Sequence, residues 1–250
     1  MQSWVRMPSR WLRQKEADLI LPKMVWVGDG KAAQISALMI YIVMVHHARR
    51  LDQLDREDVI NGDELPYQNG EVNLSYSDMQ KITDLSRTMV SAGIKILVGY
   101  GLIQRLPESK GLGKKARYIV DDFDGAFGWA KLPMRKLYRS GVITAFGDFN
   151  LRKRTELDAL KIYLIIVAFR DRNANETRIS FDKISDYTGV TRNYIKAALS
   201  FLVVQNLIQV DKHLNEGSEL MNHNVYRVRH IESTIHAGTS ANSFDTKRPS

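Results

Sequence analysis

Residues 74–104 read LSYSDMQKITDLSRTMVSAGIKILVGYGLIQ, and residues 179–209 read ISFDKISDYTGVTRNYIKAALSFLVVQNLIQ. The two stretches align without a gap at an offset of 105 residues. Nine of 31 positions are identical, including Arg87 with Arg192, Leu97 with Leu202, and Leu102-Ile103-Gln104 with Leu207-Ile208-Gln209. Other pairs exchange like for like: Tyr76 with Phe181, Ser86 with Thr191, Val90 with Ile195. A repeated helix-turn-helix pattern implies an internal duplication and two copies of one binding geometry.

The likeness continues outward. Trp4-Val5-Arg6-Met7-Pro8 matches Trp129-Ala130-Lys131-Leu132-Pro133 at an offset of 125. The run from Ala37, ALMIYIVMVHH, matches the run from Ala159, ALKIYLIIVAF, at an offset of 122. The change of offset places an insert of 17 residues in the first copy, within about 49–72, rich in Asp, Glu, Asn and Gly. It reads as a solvated excursion. Residues 1–122 and 129–233 are thus expected as two domains, with 234–250 a flexible Ser/Thr/Asn-rich tail.

Each copy divides into the same pieces. An apolar helix comes first, Gln34–Ala48 or Glu156–Arg170. A second helix opens at Ser75 or Ser180, whose hydroxyl can cap free amides. A turn follows at Thr83-Asp84-Leu85 or Thr188-Gly189-Val190, where Gly189 suits a positive φ. A third helix, capped by Ser86 or Thr191, buries Val90, Ile94 and Leu97, or Ile195, Leu199 and Leu202, at helical spacing. A strand and a returning strand close each copy as a hairpin, with Tyr118 and Tyr226 in like places. The expected fold is α+β, mainly α with small β-hairpin wings: two tandem winged helix-turn-helix domains.

The outer face of the third helix then carries Arg87, Thr88, Ser91 and Lys95 in the first copy. In the second it carries Arg192, Asn193, Lys196 and Ser200, with Tyr194 nearby. Such side chains reach phosphates and base edges in a major groove. A cation in the first helical turn opposes the helix dipole, so Arg87 and Arg192 call for an offsetting contact. The first wing adds Lys110, Lys114, Lys115 and Arg117. Arg135 follows the second Trp-x-x-x-Pro element. Arg152-Lys153-Arg154 reads either as a phosphate clamp or as a solvated charge run.

Charge agrees with a polyanion partner. Residues 1–125 hold 17 Lys and Arg against 16 Asp and Glu, and residues 126–250 hold 19 against 12. The excess of the second half marks it as the more basic surface. The 250 residues contain no cysteine, which excludes disulfides, thiol catalysis and Cys-ligated zinc and fits a reducing cytoplasm. No run of ~18 uncharged apolar residues suggests a membrane span. His46 and His47 are adjacent on a helix, point apart, and are expected to be structural. There is no phosphate-binding GxxxxGK[ST] loop and no catalytic spacing, so neither enzyme activity, cofactor nor metal is expected. Tyr163, Tyr187 and Tyr194 are better read as packing or base contacts than as nucleophiles.

The segment SRTMVSAGIKILVGYGLIQR, residues 86–105, resembles the recognition helix and strand of many bacterial winged-helix proteins, with their S-R-x-x-V…I-x-x-L…G-L-I pattern. VTRNYIKAALSFLVVQNLIQV, residues 190–210, is a looser match, with Asn206 where the pattern has Gly. Two such units in one chain resemble the plasmid and phage replication initiators built from two winged helices. That resemblance implies binding to double-stranded DNA at origin repeats, contact with a host helicase or loader, and a cytoplasmic, nucleoid-associated monomer or homodimer. Two readings compete: a transcription regulator, acting on promoter and RNA polymerase, and a tandem winged-helix interaction scaffold. The net charge of +8 opposes the scaffold.

Overall fold

A computed structural model describes residues 3–14, 19–50, 68–107, 116–124, 128–171, 173–212 and 224–231. The chain opens with strand β1 (Trp4–Pro8), a single-turn helix α1 (Arg10–Arg13) and a 3-10 turn over Leu21–Lys23. Then come α2 (Lys31–His47), β2 (Glu71–Asn73), α3 (Tyr76–Thr83), α4 (Arg87–Gly99), β3 (Ile103–Arg105) and β4 (Arg117–Val120). The second half starts with β5 (Trp129–Pro133), a 3-10 turn over Arg135–Leu137, and a ribbon of β6 (Tyr138–Arg139) and β7 (Val142–Ile143). It continues with α5 (Arg154–Phe169), β8 (Thr177–Arg178), α6 (Phe181–Thr188), α7 (Arg192–Val204), β9 (Ile208–Lys212) and β10 (Asn224–Val228). The architecture is α+β.

Helices α2 and α5 form the spine because they are apolar on every side. Every residue from Ile35 to Val45, and from Leu157 to Ala168, is buried. An all-round apolar helix is stable only inside a core. Three charges are nevertheless buried in α5. Glu156 accepts from the Leu151 amide at 2.7 Å, and Asp158 receives Arg154 Nε at 3.1 Å. Burial raises both carboxyl pKa values. Lys161 Nζ donates to the Thr188 carbonyl at 3.0 Å, tying α5 to the end of α6. Burial pushes the Lys161 ammonium down to about 8.

The sheets are three-stranded, ordered β2-β4-β3 and β8-β10-β9, and antiparallel. The sequence suggested two-stranded hairpins. The extra strand comes from just before α3 or α6, and three residues such as Glu71-Val72-Asn73 carry too little pattern to announce it. Val72 is fully buried, so the polar excursion ends before it. Arg49 N donates to the Glu71 carbonyl at 2.9 Å and closes the base of that excursion. Residues 51–67 and the tail lie outside the described residues.

The helix-turn-helix pairs are built alike. Ser75 accepts from the Asp78 amide at 3.1 Å while Asp78 accepts from the Ser75 amide at 2.9 Å, a reciprocal cap. Ser180 accepts from the Lys183 amide at 3.2 Å. At the turns, Thr83 donates to the Met79 carbonyl (2.6 Å) and Thr188 to the Ile184 carbonyl (2.5 Å). Each hydroxyl also accepts an amide two residues on, from Leu85 or Val190. Asp84 and Gly189 take left-handed φ, 59° and 68°. Ser86 caps α4 by accepting from the Met89 amide at 3.3 Å, whereas Thr191 makes no capping bond to α7, contrary to its sequence reading.

The halves interlock. Strand β1 pairs antiparallel with β5, placing Arg6 opposite Lys131, Trp4 opposite Pro133 and Pro8 opposite Trp129. Helix α2 packs on α5. Helix α6 packs on the Leu21–Lys23 turn of the first half, and α3 packs on β7 of the second. A β-carbon at Gly189 would stand 2.9 Å from Pro22 Cα, so the turn needs glycine for space as well as for φ. Buried residues of both halves form one continuous apolar cluster.

Candidate nucleic-acid interface

Helices α4 and α7 each bury one side and leave the other to solvent. Val90, Gly93, Ile94 and Leu97 face inward on α4; Ile195, Ala198, Leu199 and Leu202 do so on α7. Gly93 is the point of closest approach. A β-carbon there would meet Ile40 Cδ1 and Ser36 Oγ at 2.8 Å. Ser36 Oγ donates to the Met89 carbonyl at 2.6 Å and fixes the crossing of α2 and α4. Sequence reading did not single out Gly93 or Ser36. The sign was present, since the aligned stretch of the second half has small Ala198 at the matching position.

The outer faces hold the residues expected there. Arg87, Thr88, Ser91 and Lys95 are all exposed, as are Arg192, Asn193, Tyr194, Lys196 and Ser200. The first-turn arginines have partners within the chain. Arg87 lies 5.1 Å above the Tyr76 ring and Arg192 lies 5.9 Å from the Phe181 ring. Arg192 Nη1 also contacts Asp182 Oδ1 at 2.7 Å. These contacts meet the dipole cost without any external ligand, so helix position alone does not argue for DNA. They are weak enough to exchange: both members of the Arg192–Asp182 pair are more than two-thirds exposed, and such pairs contribute about 0.2–1 kcal/mol.

Arg154 joins the approach segment to α7. Its guanidinium lies 4.0 Å above the Tyr194 ring while it pairs with Asp158. Arg152 and Lys153 precede it and are exposed. The Arg152–Arg154 run therefore stands beside the first turn of α7. Arg135 is exposed on its 3-10 turn.

Arg117 is held differently. Its Nε and Nη2 meet Glu71 Oε1 and Oε2 at 2.7 and 3.0 Å, and Glu71 is fully buried. That forked pair ties β4 to β2 and neutralises the charge inside the sheet. The second sheet repeats the device, with Arg227 bridging Glu176 at 2.5 Å and Asp211 at 2.6 Å. Lys110, Lys114 and Lys115 lie outside the described residues. Among the described residues no cluster of His, Asp and Glu has metal-binding geometry, and no helix is long and apolar enough to cross a membrane.

No protein-family model matches this chain, and no curated protein matches it at a significant level.

Proposed function

We propose that this chain is a sequence-specific double-stranded DNA-binding protein made of two winged helix-turn-helix units that arose by duplication. The observation that carries the reading is the pair of like-built helices, α4 and α7, each with an exposed Arg-led polar face. The same order of elements from α2 and α5 onward, the matching turn hydroxyls of Thr83 and Thr188, and the matching sheet orders support the duplication.

The β1–β5 ladder adds the relation between the units. Position by position, Trp4 corresponds to Trp129 and Arg6 to Lys131. The ladder pairs Arg6 with Lys131, its own counterpart, so the centre of the ladder is a local two-fold. Helix α6 also packs on Leu21–Lys23 and α3 on β7, so each helix-turn-helix touches the other half. One chain thus imitates a symmetric dimer. Units related in this way meet DNA in opposite directions, so the site has two inverted half-sites about 10 base pairs apart. The half-sites differ in sequence, because α4 presents Thr88 and Lys95 where α7 presents Asn193 and Ser200.

Within this reading, a replication initiator of a plasmid or other mobile element, binding origin repeats and a host helicase or loader, accounts best for two winged helices in one chain. It rests on the architectural resemblance alone. A transcription regulator would use the same surface on a promoter. Selection from a random duplex library tests the shared claim. Enrichment of one bipartite motif is expected; no enriched motif would remove sequence specificity.

A further inference from the structure

Beyond the C-terminus of α7 the second half has an open cleft of about 330 Å³, lined by Lys136, Asn206, Arg229, His230 and Ile231. Among the described residues no carboxylate lines it. Arg229 Nε donates to Asn206 Oδ1 at 3.1 Å and Arg229 Nη1 donates to Gln209 Oε1 at 3.2 Å. Both acceptors are neutral amides that orient the guanidinium, while the Asp211 carboxylate, itself paired with Arg227, interacts with it from farther off. The Asn206 amide nitrogen stands 3.5 Å from His230 Nε2. The pKa of His230 is lowered, first by burial and then by the positive charges of Lys136 and Arg229. The imidazole thus senses both cations at once.

The first half has a cleft in the corresponding place, and its charge is reversed. Asp121 and Asp122 line it, with Arg10. They follow β4 as Arg229 and His230 follow β10. Asp122 and His230 share a left-handed backbone, φ 52° and 67°, and Asn206 (φ 55°) stands where the first half has Gly101 (φ 69°). The fold therefore does not demand cations at this point. The second half has an orienting amide on a backbone conformation that glycine adopts most readily.

We infer that the Lys136–Asn206–Arg229–His230 cleft binds a phosphate group. Arg229 and Lys136 supply the charge, and the Asn206 amide nitrogen supplies a further N–H donor. The site is separate from Arg192 and Asn193 at the start of α7, since a 13-residue helix sets its two ends about 20 Å apart. It does not depend on the DNA reading. The phosphate belongs either to a nucleic-acid backbone or to a small phosphorylated molecule.

The test uses the full chain and follows the His230 ring resonances by NMR. Sodium phosphate is titrated at neutral pH, with ionic strength held constant by chloride. A saturable shift at His230 is expected. In Arg229→Asp, which carries the acidic residue type of the first half, affinity should fall at least about tenfold. Lys136→Ala, on an exposed 3-10 turn, is the second variant and should weaken binding in the same direction. Duplex DNA is then added to the wild-type chain. A His230 shift that phosphate competes away assigns the site to a DNA backbone, whereas DNA binding with His230 unmoved assigns it to a small molecule. No saturable shift beyond the chloride control, or wild-type affinity in both variants, would overturn the site.

Discussion

The indole of Trp4 stacks on the indole of Trp129, with ring centroids 5.8 Å apart and planes 8° from parallel. Arg6 lies 4.8 Å from the Trp129 ring and Lys131 lies 4.6 Å from the Trp4 ring. Two cations that face each other across the ladder are thereby each placed on an aromatic face of the other half. The joint between the halves is a reciprocal structure, and its loss should be felt by the whole chain.

Trp4→Ala should lower unfolding free energy by about 2–3 kcal/mol, and Trp129→Ala by a similar amount. The double variant should fall short of the sum by about 1 kcal/mol, the coupling of one stacked pair. Guanidinium denaturation measures all three. Additivity would mean that the stack contributes nothing of its own.

His46 provides a second joint. Its Nε2 lies 2.8 Å from the Pro133 carbonyl, which can only accept, so Nε2 carries the proton. Its Nδ1, 2.9 Å from the Tyr138 hydroxyl, then accepts from it. The folded protein holds this imidazole neutral, with burial pushing its pKa down to about 3 from 6.5. Below pH 6.5 the unfolded chain binds a proton that the folded chain refuses. Stability due to His46 is complete above pH 6.5 and is lost as pH falls toward 3, about 3 kcal/mol of it by pH 4. Denaturation of wild type and His46→Gln from pH 7 to 4 should show a flatter acid limb in the variant. Parallel limbs would place the titration elsewhere.

The two turns make opposite predictions. Gly189→Ala puts a β-carbon on a φ of 68° and against Pro22, and should cost about 2 kcal/mol or more. Asp84→Gly relieves a left-handed aspartate and should be neutral or stabilising by up to about 1 kcal/mol. Melting of both variants checks the pair; the opposite order would refute the strain argument.

These turns also show how far the sequence could be read. The turn positions, both caps of α3 and α6, and the outward set on α4 and α7 follow from helical spacing and residue type. Spacing within one stretch could not show that β1 would pair with β5, because strand partners are chosen at long range. It also could not distinguish Arg117, engaged by buried Glu71, from an exposed arginine such as Arg135. The buried Glu156, Asp158 and Lys161 were visible as charges on an apolar helix, but their partners come from other elements.

If Arg192 contacts DNA as proposed, Asp182 is its competitor within the chain. A good guanine contact contributes ~1–3 kcal/mol, more than an exposed ion pair, so DNA should win. Asp182→Ala should then tighten binding about two- to fivefold by removing the competitor. Fluorescence anisotropy with the selected duplex measures it, and a weakened complex would show that Asp182 assists rather than competes.

On the proposed reading, α4 and α7 read two inverted half-sites of one duplex. The most direct measurement is a panel of single-base variants of the selected site, bound by Arg87→Ala and by Arg192→Ala. Each variant should relax discrimination by ~1–3 kcal/mol at one or two base pairs. The relaxed positions should fall in different half-sites, at mirror-related places about 10 base pairs apart. Uniform weakening across the panel, or relaxation by both variants in the same half-site, would contradict the account.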